Sequence, residues 1–369
     1  MQRLALDLFG TDQVAPAVVA AGARWQGGAW IMEVGAAGRL ASGTREPPAT
    51  SRTWFDLASI TKPITALAAA RLARAKKIDL GAPAGALLPE LAGTASETAS
   101  LELLLAHRAG LEPHRALYRE LVRGKLVNKR AALVEAASAR RVDASGPIPE
   151  GGFAPVYSDL CYLLAGETIA RAAGASLDEV LDDEVLAPLG AVIGSARRIR
   201  VKHAGFAESV AATEFVPWRG GTIRGFVHDD NAWALSGEGT SGHAGLFGTA
   251  EGVLTVGRAV IDALHGRSDW FLTKDEIGPL VRPRPGGTLR AGFDGKSEKG
   301  SLAGERFGPS TIGHLGFTGT SFWCDVDRQV VGVLLTNRVH PTRDNHLLRL
   351  AWPGAYDRIA EWADASSEG

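Results

Sequence analysis

Residues 16–25 (PAVVAAGARW) and 29–35 (AWIMEVG) form two apolar runs on either side of Gly27-Gly28. Glycine tolerates positive φ, so the pattern predicts a β-hairpin. Far along the chain, FTGTSFWCDVDRQVVGVLLTN repeats the logic, with a polar Asp325 to Arg328 turn between β-branched and aromatic runs. Between these strand-like ends the period changes. Residues 60–77, 99–107, 130–140, 159–173 and 177–187 carry alanine, leucine and charge at helical spacing. Residues 204–250 are glycine-rich and polar and are expected to wrap as long loops, and the basic run Arg197-Arg198-Ile199-Arg200-Val201-Lys202 is expected to be a solvated strand edge. The economical architecture is α+β. Both ends share one antiparallel sheet flanked by helices (residues 1–58 and 225–369), a mostly helical domain (59–224) is inserted between them, and a cleft forms at the junction.

Composition narrows the function. A chain of 369 residues has ample material for a core, and 45% hydrophobic with 22% charged residues is ordinary for a globular protein. The formal net charge of −1 supplies no field for a phosphate backbone, so nucleic acid is not an expected partner. No run of about 18 apolar residues predicts a membrane span. MQRLALDLFGTDQ meets acidic residues too soon for an export signal, and a cytoplasmic location is expected. Cys161 and Cys324 lie in no metal or disulfide pattern and are expected to be buried thiols; no cofactor is called for.

The chemistry starts at Ser59-Ile60-Thr61-Lys62, just before an apolar helical run. Three helical residues advance the chain by about 300°, so Ser59 and Lys62 project from one side. A serine hydroxyl attacks a carbonyl only when a base takes its proton, and an amine in a partly desolvated pocket can lose its charge and serve. Such a tetrad also arises by chance. Tyr157-Ser158-Asp159 precedes another helical run and His314-Leu315-Gly316 opens a strand; each alone reads as packing.

In order and context the three segments resemble the SxxK, YxN and KTG/HxG motifs of the serine β-lactamase and penicillin-binding-protein superfamily, in its class C-like branch of esterases and peptidases. LLLAHRAGL (103–111), VHDDNAWAL, SGHAGLFGTAEG and GHLGFTGTSFW extend the likeness over residues 15–340. The resemblance implies Ser59 as nucleophile, Lys62 and Tyr157 as shared base, an oxyanion hole from the N–H groups of Ser59 and Phe317, and substrate-side roles for Asp159, His314 and Gly316. It implies a small ester, amide or β-lactam as substrate. Two departures point toward an esterase: His314 replaces lysine and Asp159 replaces asparagine, and both changes make the pocket less positive.

Three rival readings are weaker. An α/β-hydrolase would show a GxSxG elbow, which the sequence lacks. A zinc hydrolase could draw on His228, Asp229 and His243, but without any recognised ligand spacing. A binding protein on the same fold would be expected to have lost Ser59, Lys62 or Tyr157.

Overall fold

The computed structural model describes residues 1–365. Its main sheet has six strands: β1 (Ala17–Gln26), β2 (Ala29–Gly38), β3 (Asp294–Gly295), β4 (Ile312–Gly316), β5 (Thr320–Asp325) and β6 (Val330–Thr336). Their order is β2-β1-β6-β5-β4-β3, antiparallel throughout, so the first hairpin pairs with the last strand. Val18 opposes Thr336 and Arg24 opposes Val330 in that central pairing. The expected hairpins form, each within a few residues of its predicted limits.

Alternation along β1 buries both faces. Val18 and Ala20 join Leu334 in one cluster, while Val19 and Ala21 join Val333 and Leu335 in another. Two helices cover the first face: α1 (Gln2–Gly10), with Leu4 and Leu8, and the long helix at residues Leu347–Ala365, with Tyr356 and Ile359. Against the second face lies Ala250–Leu264, where a Cβ at Gly257 would stand 2.6 Å from Val331 Cγ1. Only glycine lets that helix sit directly on the strand. Each buried valine or leucine in these layers contributes about 1.5 to 3 kcal/mol relative to exposure.

The helical region centres on α2 (Thr61–Arg74), buried except at Arg71, Ala73 and Arg74. It ends short of residue 77 because Lys76 turns to φ 55°. Against it packs α3 (Asp159–Ala173), capped by Ser158 and closed by Gly174 in the left-handed conformation. The segment expected at 177–187 begins as Leu177–Leu181 and continues through a π-turn, Asp182–Leu186.

Two expectations need correction. The basic run is not a strand edge but a helix, Ala196–Lys202, whose first turn is capped by Ser195. Arg197 pairs with Asp178 at 2.6 Å, and Arg198 and Lys202 with Asp182, so helical spacing satisfies the charges that looked like a solvated edge. The expected loop at 204–250 contains a helix, Asp230–Ser236, and a strand, Leu246–Gly248. That strand is the centre of a small sheet, pairing with Phe55–Asp56 and Ile193–Ser195. Cys161 and Cys324 are buried free thiols, and no helix among the described residues is long and apolar enough to cross a membrane.

Candidate active site

Ser59 sits in a single tight turn, Ala58–Ile60, that runs into α2. One turn later Lys62 is fully buried, with its Nζ 2.9 Å from Ser59 Oγ, 2.8 Å from Asp159 Oδ1 and 3.1 Å from the His243 carbonyl. Three acceptors for three N–H bonds satisfy an ammonium. Tyr157 reaches the same oxygen from the start of α3, its hydroxyl 2.8 Å from Ser59 Oγ. The sequence thus places these four side chains around one point although they come from segments nearly a hundred residues apart.

The electrostatics revise one expectation. Burial works against the charge of Lys62, yet Asp159 and Tyr157 more than offset it, and the ammonium is held above its usual range rather than neutralised. Burial likewise pushes the Tyr157 hydroxyl up, with Lys62 pulling the other way. The reason is Asp159: an ionised carboxylate in contact stabilises the cation that desolvation alone would discharge.

His314 is buried on β4, and its Nδ1 lies 2.8 Å from the Leu315 carbonyl, so that nitrogen carries the proton. Burial and the nearby Lys62 bring its pKa down to about 3, keeping it neutral. The next three residues, Leu315, Gly316 and Phe317, line a cleft of about 500 Å³ together with Ser59, Tyr157 and Asp159. Gly316 allows β4 to touch the Ser59 turn: a Cβ there would lie 2.6 Å from the Leu57 carbonyl and 2.1 Å from Thr320 Oγ1. The Phe317 ring is half-exposed at the mouth and stacks on His228 at 5.6 Å.

His228, Asp229 and His243 also line the cleft, but they do not converge as a ligand set. His243 Nε2 lies 2.9 Å from Asp229 Oδ1, whereas the nearest carboxylate to the His228 ring belongs to Glu214, at 3.8 Å. Among the described residues no group of histidine, cysteine or acidic side chains is arranged to hold a metal ion.

Other side chains in and around the site were not singled out from the sequence. His107 lies against Tyr157. Asp56 accepts two backbone N–H groups beside Ser59. Arg338, Arg343 and Arg349 line the rim. Arg343 is paired with Glu214 at 2.6 Å, while Arg338 donates to the Phe317, Arg343 and Asn345 carbonyls. Neither Arg338 nor Arg349 has a carboxylate partner among the described residues. Guanidinium groups from the segment after β6 thus line the cleft alongside the carboxylates of Asp159, Asp229 and Asp230, and Asp159 is occupied by Lys62.

The family model described as Beta-lactamase matches residues 11–354. A protein of Salmonella agona (strain SL483) named putative D-alanyl-D-alanine carboxypeptidase is 26% identical over 322 residues, covering 79% of this chain and 71% of that one. Among solved structures, EstCE1, a hydrolase with promiscuous acyltransferase activity, superposes with TM-score 0.70 at 19% identity, over 96% of this chain and 97% of that one. A penicillin-binding protein homologue from Caulobacter crescentus gives TM-score 0.66 at 20% identity, with 96% of each chain covered.

Proposed function

Because the chain belongs to the beta-lactamase family, we propose that it is a serine hydrolase that cleaves a small ester or amide through an acyl-enzyme on Ser59. The observation that carries this reading is the convergence of Lys62 Nζ and the Tyr157 hydroxyl on Ser59 Oγ, at 2.9 and 2.8 Å, at the floor of an open cleft. Both contacts lie within the range needed for proton transfer to or from a nucleophile.

In the mechanism, Ser59 Oγ bonds to the carbonyl carbon as its proton leaves through Tyr157 and Lys62. Lys62 starts charged, so it must pass a proton on as it receives one, and Asp159 at 2.8 Å is the acceptor in line. The carbonyl oxygen gains negative charge facing the N–H groups of Ser59 and Phe317, whose stabilisation is the largest expected electrostatic contribution. Collapse breaks the bond to the leaving group, which takes the relayed proton. Water then attacks the acyl-serine by the reverse path and restores the hydroxyl.

A second reading is favoured by Arg338 and Arg349: the substrate carries a carboxylate, as β-lactams and D-alanyl peptides do, with the rim guanidiniums holding it. Hydrolysis of short neutral p-nitrophenyl esters, nitrocefin and D-Ala-D-Ala peptides, with Ser59→Ala as control, tests both. Loss of turnover by several orders of magnitude in Ser59→Ala supports the nucleophile. Turnover retained in that variant, with an acyl adduct elsewhere by mass spectrometry, overturns it.

A further inference from the structure

The residue before the candidate nucleophile, Ala58, is held at φ 46°, a left-handed conformation that side chains with a Cβ rarely adopt. Something must hold it there. The buried Asp56 carboxylate accepts the Ala58 N–H on one oxygen at 2.8 Å and the His228 N–H on the other at 2.7 Å. It therefore ties the turn to the cleft wall that carries His228 and Asp229. Around it the same turn is fastened to the sheet: Thr318 Oγ1 donates to the Asp56 carbonyl at 2.7 Å and Thr320 Oγ1 to the Leu57 carbonyl at 3.0 Å.

We propose that Asp56 is a positioning residue, whose ionised carboxylate holds the strained Ala58 turn and so aims Ser59 at the substrate. The proposal rests on Ser59 being the nucleophile. Asp56 touches no reacting atom; its effect passes through the backbone. Two N–H donors consume both oxygens of the anion, and a protonated carboxyl would surrender one of them. The surroundings leave the carboxyl titratable. Burial pushes it up to about 6, against the pull of the two N–H groups; Asp229 adds to the rise and Arg219 opposes it. His228 is kept neutral, its pKa brought down to about 4 by burial, and Thr318 and Thr320 bring no charge.

The experiment uses the full chain, with fluorophosphonate labelling and p-nitrophenyl ester hydrolysis followed from pH 4.5 to 8.5. In Asp56→Asn, kcat is expected to fall about ten- to a hundredfold with KM changed less than about threefold, as for a misaimed nucleophile. The rise in rate through about pH 6 should vanish in this variant. Ala58→Gly removes the Cβ that makes the turn costly, so Asp56→Asn/Ala58→Gly should recover about tenfold of the loss. Ala58→Gly alone should flatten the acid limb, which keeps the proposal testable if Asp56→Asn does not fold. Asp56→Asn with kcat within about twofold of the parent, an unchanged acid limb in Ala58→Gly, or no recovery in the double variant overturns the role of Asp56. If Ser59→Ala is inactive in that same set, the nucleophile stands regardless; if Ser59→Ala stays active, it is the nucleophile that fails.

Discussion

His107 lies nearly flat against Tyr157, ring centroids 4.8 Å apart at 29°, while its Nδ1 accepts the Ser158 N–H at 3.0 Å. One side chain thus fixes both the tyrosine plane and the backbone behind it. Burial, with Lys62 nearby, keeps the imidazole well below its usual pKa, so it is neutral and able to accept. His107 itself is left-handed, at φ 58°. His107→Ala should cost about 1 to 3 kcal/mol for the unsatisfied donor and lower kcat more than KM. His107→Asn, which tolerates that backbone and retains an acceptor, should keep more of both. Thermal unfolding and steady-state kinetics of the pair check this. In an unfolded chain this histidine takes up a proton below about pH 6.5, so its contribution to stability should fade as pH drops through that value.

Asp159→Asn removes the main opponent of desolvation at Lys62. The lysine pKa should fall, and the limb of the rate profile that reports its titration should move toward acid. A pH profile of kcat/KM for one neutral ester measures the displacement; a profile unmoved by the change would separate Asp159 from the base.

Arg349 lines the cleft rim without a carboxylate partner among the described residues. If carboxylate-bearing substrates use it, Arg349→Ala should reduce their kcat/KM about tenfold or more while leaving short neutral esters within about twofold, since one charge-assisted contact contributes roughly 1.5 to 3 kcal/mol. Parallel assays of nitrocefin and p-nitrophenyl acetate decide it.

The Asp56 carboxyl rises from its ordinary 3.8 to about 6 on folding. Between those values the folded chain binds more protons than the unfolded one, so this group makes stability decline as pH rises, until it is fully ionised. At about 1.4 kcal/mol per pH unit the buried charge costs roughly 3 kcal/mol above pH 6. The parent should therefore lose stability between pH 4 and pH 8 that Asp56→Asn, which has no charge to bury, does not lose. Calorimetry at the two pH values tests the sign.

Much of the fold was legible because apolar, β-branched and aromatic runs on either side of short turns mark β1, β2, β5 and β6 and because Ser158 and Gly174 punctuate α3. The helix at Leu347–Ala365 was hidden by Trp352-Pro353-Gly354, which reads as a break although the helix continues through it. Ala196–Lys202 was misread because its ion-pair partners, Asp178 and Asp182, lie in another segment. At the site, Ser59, Lys62 and Tyr157 could be found from spacing and resemblance. Asp56, His107 and Arg349 could not: one is distinguished by backbone donors, one by a stacking partner, one by its place after β6, and none of these is a local pattern.

The fastening of the serine turn by Thr318, 262 residues further along the chain than Asp56, has a consequence for the order of events during synthesis. Residues 55–74 leave the ribosome long before β4, β5 and β6, so the two threonine fastenings of the turn form only when those strands arrive. Contacts this remote slow folding, because a large loop must close before they contribute. A nascent chain cut short before residue 312 would carry Ser59, Lys62 and Tyr157 but neither threonine contact, so the turn is fully fastened only once the sheet is complete.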